Sequence, residues 1–94
     1  MIVLNAKDQA GQRLLSPAWV AEDATPIRYQ VTLEQEKTGN RNRSQQSGIV
    51  PTPATGVPTP LGLLSYAPGG TVRVDILISD MSGRELARQA YFNP

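Results

Sequence analysis

Carboxylates are the side chains of this sequence best suited to acid–base chemistry, because its 94 residues include no histidine and no cysteine. Glu34 and Glu36 are two positions apart, a spacing that puts both on one face of a β-strand. A carboxylate pair can act as general acid and general base. Arg28 and Thr32 share that face, which is typical of a solvated strand surface. The composition therefore favours a protein that is not an enzyme, with a small carboxylate enzyme as one alternative.

Metal and cofactor chemistry has little support in the sequence. Asp80, Ser82 and Gly83 resemble the start of a metal loop, but no further ligands follow at the spacing that a calcium loop needs. The same residues suit a short hairpin turn in which glycine takes a positive φ. We expect a turn there, and neither a metal site nor a cofactor. Trp19 is expected to fill the core, with ligand stacking as the alternative.

The distribution of charge is more informative than the formal net charge of +1. No acid lies between Glu36 and Asp75, whereas four of the basic residues do. A basic surface of this kind can steer an acidic or polar extended partner. Nucleic acid is not expected, because Tyr66 alone in this interval is able to stack on a base. An ordinary solubilising surface is the alternative; the predicted client-binding residues are Arg28, Lys37, Arg41, Arg43 and Arg73.

Two segments alternate clearly enough to predict half-buried strands. In residues 27–36, Ile27 and Val31 begin an apolar face that alternates with polar residues. Residues 71–80 repeat the pattern, with Val72, Val74, Ile76 and Ile78 predicted to face inward. These strands are the framework on which the basic residues are carried.

Residues 39–48, GNRNRSQQSG, contain no apolar side chain and resemble a linker when taken alone. Their position after the 27–36 strand and a turn at KTGN predicts instead the second arm of a hairpin. If Ile49 faces the core, strict alternation turns Arg41 and Arg43 inward too. Either a bulge at Gly48 resets the facing, or the arginines lie beyond the packed part of the sheet.

The remaining segments predict further short strands. IVLNA is a strand and KDQAG a turn; QRLLSPAWVA is a strand broken at Pro17, at an edge or a bulge. LGLLSY is a weaker strand, and RELARQAYF is a strand rather than a helix, with Leu86, Ala90 and Phe92 on one face. About seven short antiparallel strands without a helix predict an all-β, immunoglobulin-like β-sandwich, with residues 1–94 as one domain.

Residues 50–60 contain the tetrapeptide VPTP twice, at Val50 to Pro53 and at Val57 to Pro60. Proline cannot donate to a sheet ladder, so a loop between strands is expected. A proline-rich recognition ligand is the alternative. The sequence has no apolar run long enough to cross a membrane, and no membrane insertion is expected.

The stretch RYQVTLEQEKTGNRNRSQQSG and the later LSYAPGGTVRVDILISDMSGRELAR are similar to the curli assembly inhibitors of the CsgC/CsgH type, and more to the CsgH branch. The resemblance covers roughly residues 27–92. The chain lacks the Cys-x-Cys pair of CsgC-type members, so a redox role has no residues here. Its proline-rich segment also departs from that pattern.

The resemblance implies a periplasmic, chaperone-like inhibitor that keeps secreted curli-type amyloid subunits from polymerising, and we expect a monomer. A periplasmic location requires that an export signal was removed before Ile2; a cytosolic protein is the alternative. Such a protein should itself resist edge-to-edge pairing, through strand edges blunted by arginine, proline and bulges. A structural or adhesive immunoglobulin-like module of a surface assembly is the alternative. That module would need an aromatic contact patch, for which the sequence offers Trp19, Tyr66 and Tyr91.

Overall fold

Eight β-strands form two antiparallel sheets in the computed structural model, which describes residues 1–93. Sheet A contains β1, β2 and β5 in that order, with β6 also paired to β2; sheet B has the order β4-β3-β7-β8. The predicted all-β sandwich is confirmed, with eight strands rather than seven because Thr59–Pro60 forms a short extra one. The strands are β1 Ile2–Gln9, β2 Gln12–Trp19, β3 Ile27–Lys37, β4 Asn40–Val50, β5 Thr59–Pro60, β6 Leu64–Tyr66, β7 Thr71–Asp80 and β8 Glu85–Asn93.

The core lies between the two sheets and is built from the alternating residues of β3 and β7. The predicted inward residues of β7 are all buried, as are Ile27, Val31 and Leu33 of β3. From sheet A and the segment before β6 they meet Leu15, Leu61 and Leu64. Because both patterns have the period of a strand, one face of sheet B is apolar and the other is left to polar side chains. We call these the inner and outer faces of sheet B.

Trp19 is part of this core, as the sequence predicted. Its exposed fraction is 9%, and it packs within the same cluster as Leu15 and Ile27. The indole Nε1 is buried without a hydrogen-bond partner. Trp19 therefore fills space between the sheets.

The N-terminal hairpin is longer than predicted. Lys7 to Gln9 belong to β1, so the turn is confined to Ala10 and Gly11. Pro17 does not interrupt β2 and is not on an edge strand, since β2 is the middle strand of sheet A. Proline is tolerated there because β5 pairs only with residues 18–19 and β6 only with residues 13–15. In the gap between them the Pro17 carbonyl accepts a hydrogen bond from Leu61 N at 2.9 Å.

The β3–β4 hairpin turns at Thr38 and Gly39, within the predicted KTGN segment. Both residues have positive φ, 49° and 82°. Two successive positive φ values characterise the two-residue turn whose twist matches that of the flanking strands, and glycine adopts this conformation without steric cost. Lys37 and Asn40 are the closing pair of the ladder.

The last strand is confirmed, and Ala90 and Phe92 share a face as predicted, but that face is the exposed one and Leu86 lies in a bulge. Leu86 and Phe92 are exposed, whereas Ala87 and Tyr91 pack against the core. The register of β7 and β8 shifts between Ile78 and Ser79, so that Ile78 pairs with Ala87 and Ser79 with Glu85. This bulge leaves Leu86 without an opposite residue and reverses which residues face inward.

Residues 51–58 form the predicted loop between strands. The loop is attached to the sandwich by a hydrogen bond of 3.0 Å from Gly56 N to the Ala21 carbonyl and by the buried side chain of Pro53. The second VPTP copy then enters β5. The segment is thus packed as part of the fold.

Candidate functional site

The outer face of sheet B carries most of the predicted binding residues. β4 pairs with β3 from Asn40 to Val50 without a register shift, so its odd-numbered residues all point to the outer face. Ile49 is 53% exposed and lies on this face together with Arg41 and Arg43. The bulge considered for Gly48 is therefore absent from the β3–β4 pairing, and the premise that Ile49 faces the core is wrong.

Gly48 has a different role, on the inner face. Its cross-strand partner is Tyr29, and a Cβ atom at position 48 would lie 2.6 Å from the Tyr29 hydroxyl oxygen and 2.8 Å from Cζ. The Tyr29 ring therefore lies across the glycine backbone. An aromatic side chain over a glycine on an edge strand compensates for the missing side chain of the glycine.

The arginines of the outer face are paired with acids. Cross-strand neighbours bring Arg43 Nε to 3.7 Å from Glu34 Oε1 and Arg41 Nη2 to 3.2 Å from Glu36 Oε2. On β7, Arg73 Nε lies 3.1 Å from Asp75 Oδ2. Residues 37–74 contain no acid, but in the folded protein acids of β3 and β7 lie beside the arginines of this segment. This surface has mixed charge rather than a purely basic character.

These ion pairs are exposed, so they contribute little to stability. The side chains of Arg41 and Arg43 are 72% and 61% exposed, and those of Glu36 and Glu34 are 56% and 44% exposed. Each arginine is consequently able to exchange its present carboxylate for one on a partner at little cost. The arrangement suits weak, salt-sensitive contacts with a polar chain.

Two predicted site residues do not belong to the same cluster. Arg28 is on the outer face but opposite Ile49, about 20 Å along β3 from the level of Arg43. Lys37 follows the inner-face alternation of β3, and its side chain lies against Gly69 in the turn before β7. The structure therefore brings Arg41, Arg43 and Arg73 together on one end of the outer face, with Arg28 at the other end and Lys37 on the opposite side.

At the Arg28 end the outer face has a shallow depression. It is lined by backbone and side chains on β3, β4 and β7, with Ile49 and Leu77 as its apolar members. The lining residues on this face are Arg28, Gln30, Ser47, Ile49, Leu77 and Ser79.

Phe92 and Arg88 also lie near this surface and were missed by the sequence reasoning. Phe92 is 63% exposed and pairs with Arg73, and Arg88 Nε lies 3.0 Å from Glu85 Oε1. Phe92 was missed because the sequence analysis grouped it with the apolar residues Leu86 and Ala90 of the last strand. The pairing with β7 that exposes Phe92 and Arg88 is not visible in the sequence.

A second polar cluster lies where β1, β2 and β8 meet. Arg13 Nε donates to Asp8 Oδ1 at 2.9 Å, and Arg13 Nη1 donates to the Tyr91 hydroxyl at 3.1 Å. The hydrogen bond from Arg13, with its positive charge, holds the pKa of Asp8 below the ordinary aspartate value. Because Arg13 connects the first hairpin to the last strand, this cluster ties sheet A to sheet B.

Within residues 1–93 no three acidic side chains converge as a metal site would require. In that same range there is no helix with the length and hydropathy needed to cross a membrane.

No family model matches this sequence, and no curated protein matches it. Two solved structures share its fold over nearly the whole chain. Curli protein CsgC of E. coli superposes with a TM-score of 0.77, covering 96% of this chain and 95% of that chain at 20% sequence identity. CsgH of R. palustris superposes with a TM-score of 0.70, covering 97% and 87% at 13% identity. At such identities the likeness establishes the fold, and as a likeness of fold it confirms the resemblance predicted from the sequence. The prediction placed the chain nearer to CsgH, whereas the TM-score and the sequence identity are both higher for CsgC.

Proposed function

We propose that this protein is a periplasmic, chaperone-like inhibitor of amyloid polymerisation that binds unfolded curli-type subunits transiently. The observation that carries the proposal is the fold match over nearly the full length of two curli-system proteins, CsgC and CsgH. Under this proposal the protein acts as a monomer, uses no cofactor and catalyses no reaction.

The outer face of sheet B supports this function by its chemistry. Arg41 and Arg43 are exposed, paired only with exposed carboxylates, and followed along β4 by Gln45 and Ser47. An unfolded polar client can exchange hydrogen bonds and ion pairs with such a surface without burying a large apolar area. Contacts of this kind raise the encounter rate more than the lifetime of the complex, which is what a transient inhibitor requires.

The test is the polymerisation of a purified curli subunit followed by thioflavin T fluorescence, with and without an equimolar amount of this protein. We expect a longer lag phase in its presence. An unchanged lag phase would refute the proposed function.

A charge-reversal pair then tests the location of the contact. Arg41→Glu with Arg43→Glu should shorten the lag phase towards that of the subunit alone and should change its dependence on salt. The matched control is Lys7→Glu with Arg84→Glu, which makes the same change in net charge at exposed positions on β1 and in the β7–β8 turn. Equal inhibition by the two double variants would show that the contact lies elsewhere, and thermal melts would confirm that both remain folded.

The alternative of an adhesive module finds less support in the positions of the aromatic residues. Trp19 and Tyr66 are buried, with 9% and 6% of their surface exposed, and Tyr91 is half-buried against the core. Phe92 is exposed but shares its surroundings with the charged residues Glu34, Glu36, Arg41 and Arg73, which lie on β3, β4 and β7. The aromatic contact patch that this alternative requires is thus not formed by Trp19, Tyr66 and Tyr91.

A further inference from the structure

β4 is the longest edge strand of the sandwich, and of the devices that usually protect such an edge it carries only charged side chains, those of Arg41 and Arg43. It has 11 residues, against 8 in β1, 3 in β6 and 2 in β5. The other edge of sheet B, β8, is broken by the bulge opposite Ile78 and Ser79. Asn40–Val50 contains neither proline nor lysine, and its register is uninterrupted. Of the expected devices, arginine is therefore present on β4, whereas proline and a bulge are absent from it.

The hairpin geometry determines which backbone groups of β4 point outward. A two-residue turn is closed by a pair of opposite residues whose backbone groups hydrogen-bond to each other, here Lys37 and Asn40. In an antiparallel ladder such pairs alternate with pairs whose amides and carbonyls point away from each other. The backbone groups directed to the open side of β4 are therefore those of Arg41, Arg43, Gln45, Ser47 and Ile49.

Nothing in the described residues covers this edge. Apart from the ladder with β3, no backbone hydrogen bond within residues 1–93 involves β4. Every side chain from Asn40 to Gln45 is exposed, on both faces of the strand. The segment between β5 and β6 contacts β4 at Gln46, whose Nε2 donates to the Leu63 carbonyl at 3.1 Å. A guest strand can thus approach the open side of Asn40 to Gln45 without meeting that segment.

The charges of β4 indicate which guest is preferred. Arg41 and Arg43 are the charged side chains of this strand. A parallel, in-register second copy would place each arginine opposite its equivalent, and an antiparallel copy centred on Asn42 would place Arg41 opposite Arg43; both arrangements are unfavourable. An acidic strand instead places a carboxylate opposite Arg41 or Arg43. Charge complementarity therefore favours an acidic extended segment of another polypeptide, and the amide and hydroxyl side chains of β4 favour one whose other side chains are also amides and hydroxyls.

We propose that β4 binds its partner by strand addition, in which such a segment pairs antiparallel or parallel with the open backbone groups of Arg41 to Ile49. This inference rests on the proposed function for the identity of the client, but the binding mode is testable without it. In strand addition the main-chain hydrogen bonds provide affinity and the alternating side chains provide selectivity. Pairing with β4 also occupies one edge of the client strand, so that edge cannot accept the next subunit of a growing fibril.

The test compares two proline variants. Gln45→Pro removes an amide that points to the open side of β4 while leaving the bonds to β3 in place. The matched control is Ala6→Pro, because the Ala10–Gly11 turn gives β1 the same alternation and directs the Ala6 amide to the open side of sheet A. The probe is a synthetic peptide of serine, glutamine and asparagine with two glutamates at alternate positions near one end. Titrations of isotope-labelled protein are followed by NMR.

We expect the peptide to slow hydrogen exchange at the amides of Arg43, Gln45 and Ser47, and Gln45→Pro to weaken binding by about tenfold or more relative to Ala6→Pro. A peptide with lysines in place of the glutamates should bind more weakly. If Gln45→Pro fails to fold, the hydrogen-exchange rates of the wild-type amides with and without the peptide still test the inference. Peptide binding that leaves the amides of β4 unprotected would overturn the inference, as would equal affinity of the two proline variants.

Two other outcomes are distinguishable. Protection of the same amides in the protein alone as its concentration rises would assign the edge to a second copy and would overturn the proposed occupant. If the peptide protects β4 but the curli subunit polymerises with an unchanged lag phase, strand addition stands and the proposed function fails. If the lag phase lengthens equally with Gln45→Pro and Ala6→Pro, the proposed function stands and strand addition fails.

Discussion

Replacing Gly48 with alanine should destabilise the fold, although alanine normally stabilises a strand relative to glycine. The added Cβ would lie 2.6 Å from the Tyr29 hydroxyl oxygen, 2.8 Å from Cζ and 3.0 Å from Cε1. Distances this short require the ring to move. Since Tyr29 packs against the core cluster from its half-buried position, the displaced ring loses contacts on the inner face.

The size of the effect follows from two opposing contributions. The change from glycine to alanine favours folding by about 0.4–1 kcal/mol, because it reduces the freedom of the unfolded chain. Overpacking a fitted site costs about 1–3 kcal/mol. The two contributions combine to a net loss of about 0–2.6 kcal/mol, and we expect Gly48→Ala to lower the free energy of unfolding by about 1 kcal/mol in the wild-type background.

The same change should have the opposite sign when the ring is removed. In a Tyr29→Ala background, Gly48→Ala should raise the free energy of unfolding by about 0.4–1 kcal/mol, because only the chain-entropy contribution remains. Urea unfolding of the four proteins, followed by circular dichroism, gives the coupling energy between the two positions directly. A Gly48→Ala effect of the same sign and size in both backgrounds would refute the proposed packing of Tyr29 over Gly48.

Two further predictions concern the core and the last turn. Ile76→Ala should lower the free energy of unfolding by about 2–4 kcal/mol, because Ile76 is buried. Leu86→Ala should change it by about 0.5 kcal/mol or less, because Leu86 is exposed. Comparable losses for the two variants in urea unfolding would contradict the facing assigned to β8. Asp80 accepts hydrogen bonds from the Ser82 side chain and from backbone amides, which hold its pKa below the ordinary aspartate value. Its contribution to stability is therefore complete above the unfolded pKa of about 4 and is lost as the pH falls through the lower folded pKa. Asp80→Asn should make the urea midpoint fall less between pH 7 and pH 3 than in the wild type, and an identical fall would show that Asp80 does not contribute to the acid sensitivity.

Much of the fold could be predicted from the sequence because strand alternation is a local property. β3 and β7 carry one apolar residue at every second position, so their buried faces are readable without knowing their partners. The Lys-Thr-Gly-Asn and Ser-Asp-Met-Ser-Gly segments likewise contain the residues that their turns require.

The features that were predicted wrongly depend on pairing between distant segments. The facing of Leu86 and Phe92 is decided by a bulge in the β7–β8 register, and Pro17 is accommodated because two short strands from residues 59–66 leave a gap beside it. The charge of the outer face was also misjudged. Glu34 and Glu36 are close to Arg43 and Arg41 only because β3 and β4 pair, and linear separation does not show this.

The exposed half of β4 has a consequence for how this protein can change over evolutionary time. Side chains from Asn40 to Gln45 are all exposed, so most replacements there alter the free energy of unfolding by only about 0.5 kcal/mol. The sandwich core is set instead by the residues of β3 and β7 and their contacts with sheet A. Selection is therefore free to rewrite the charge and hydrogen-bonding pattern of this strand, and thus the choice of partner, while the fold that presents it stays the same.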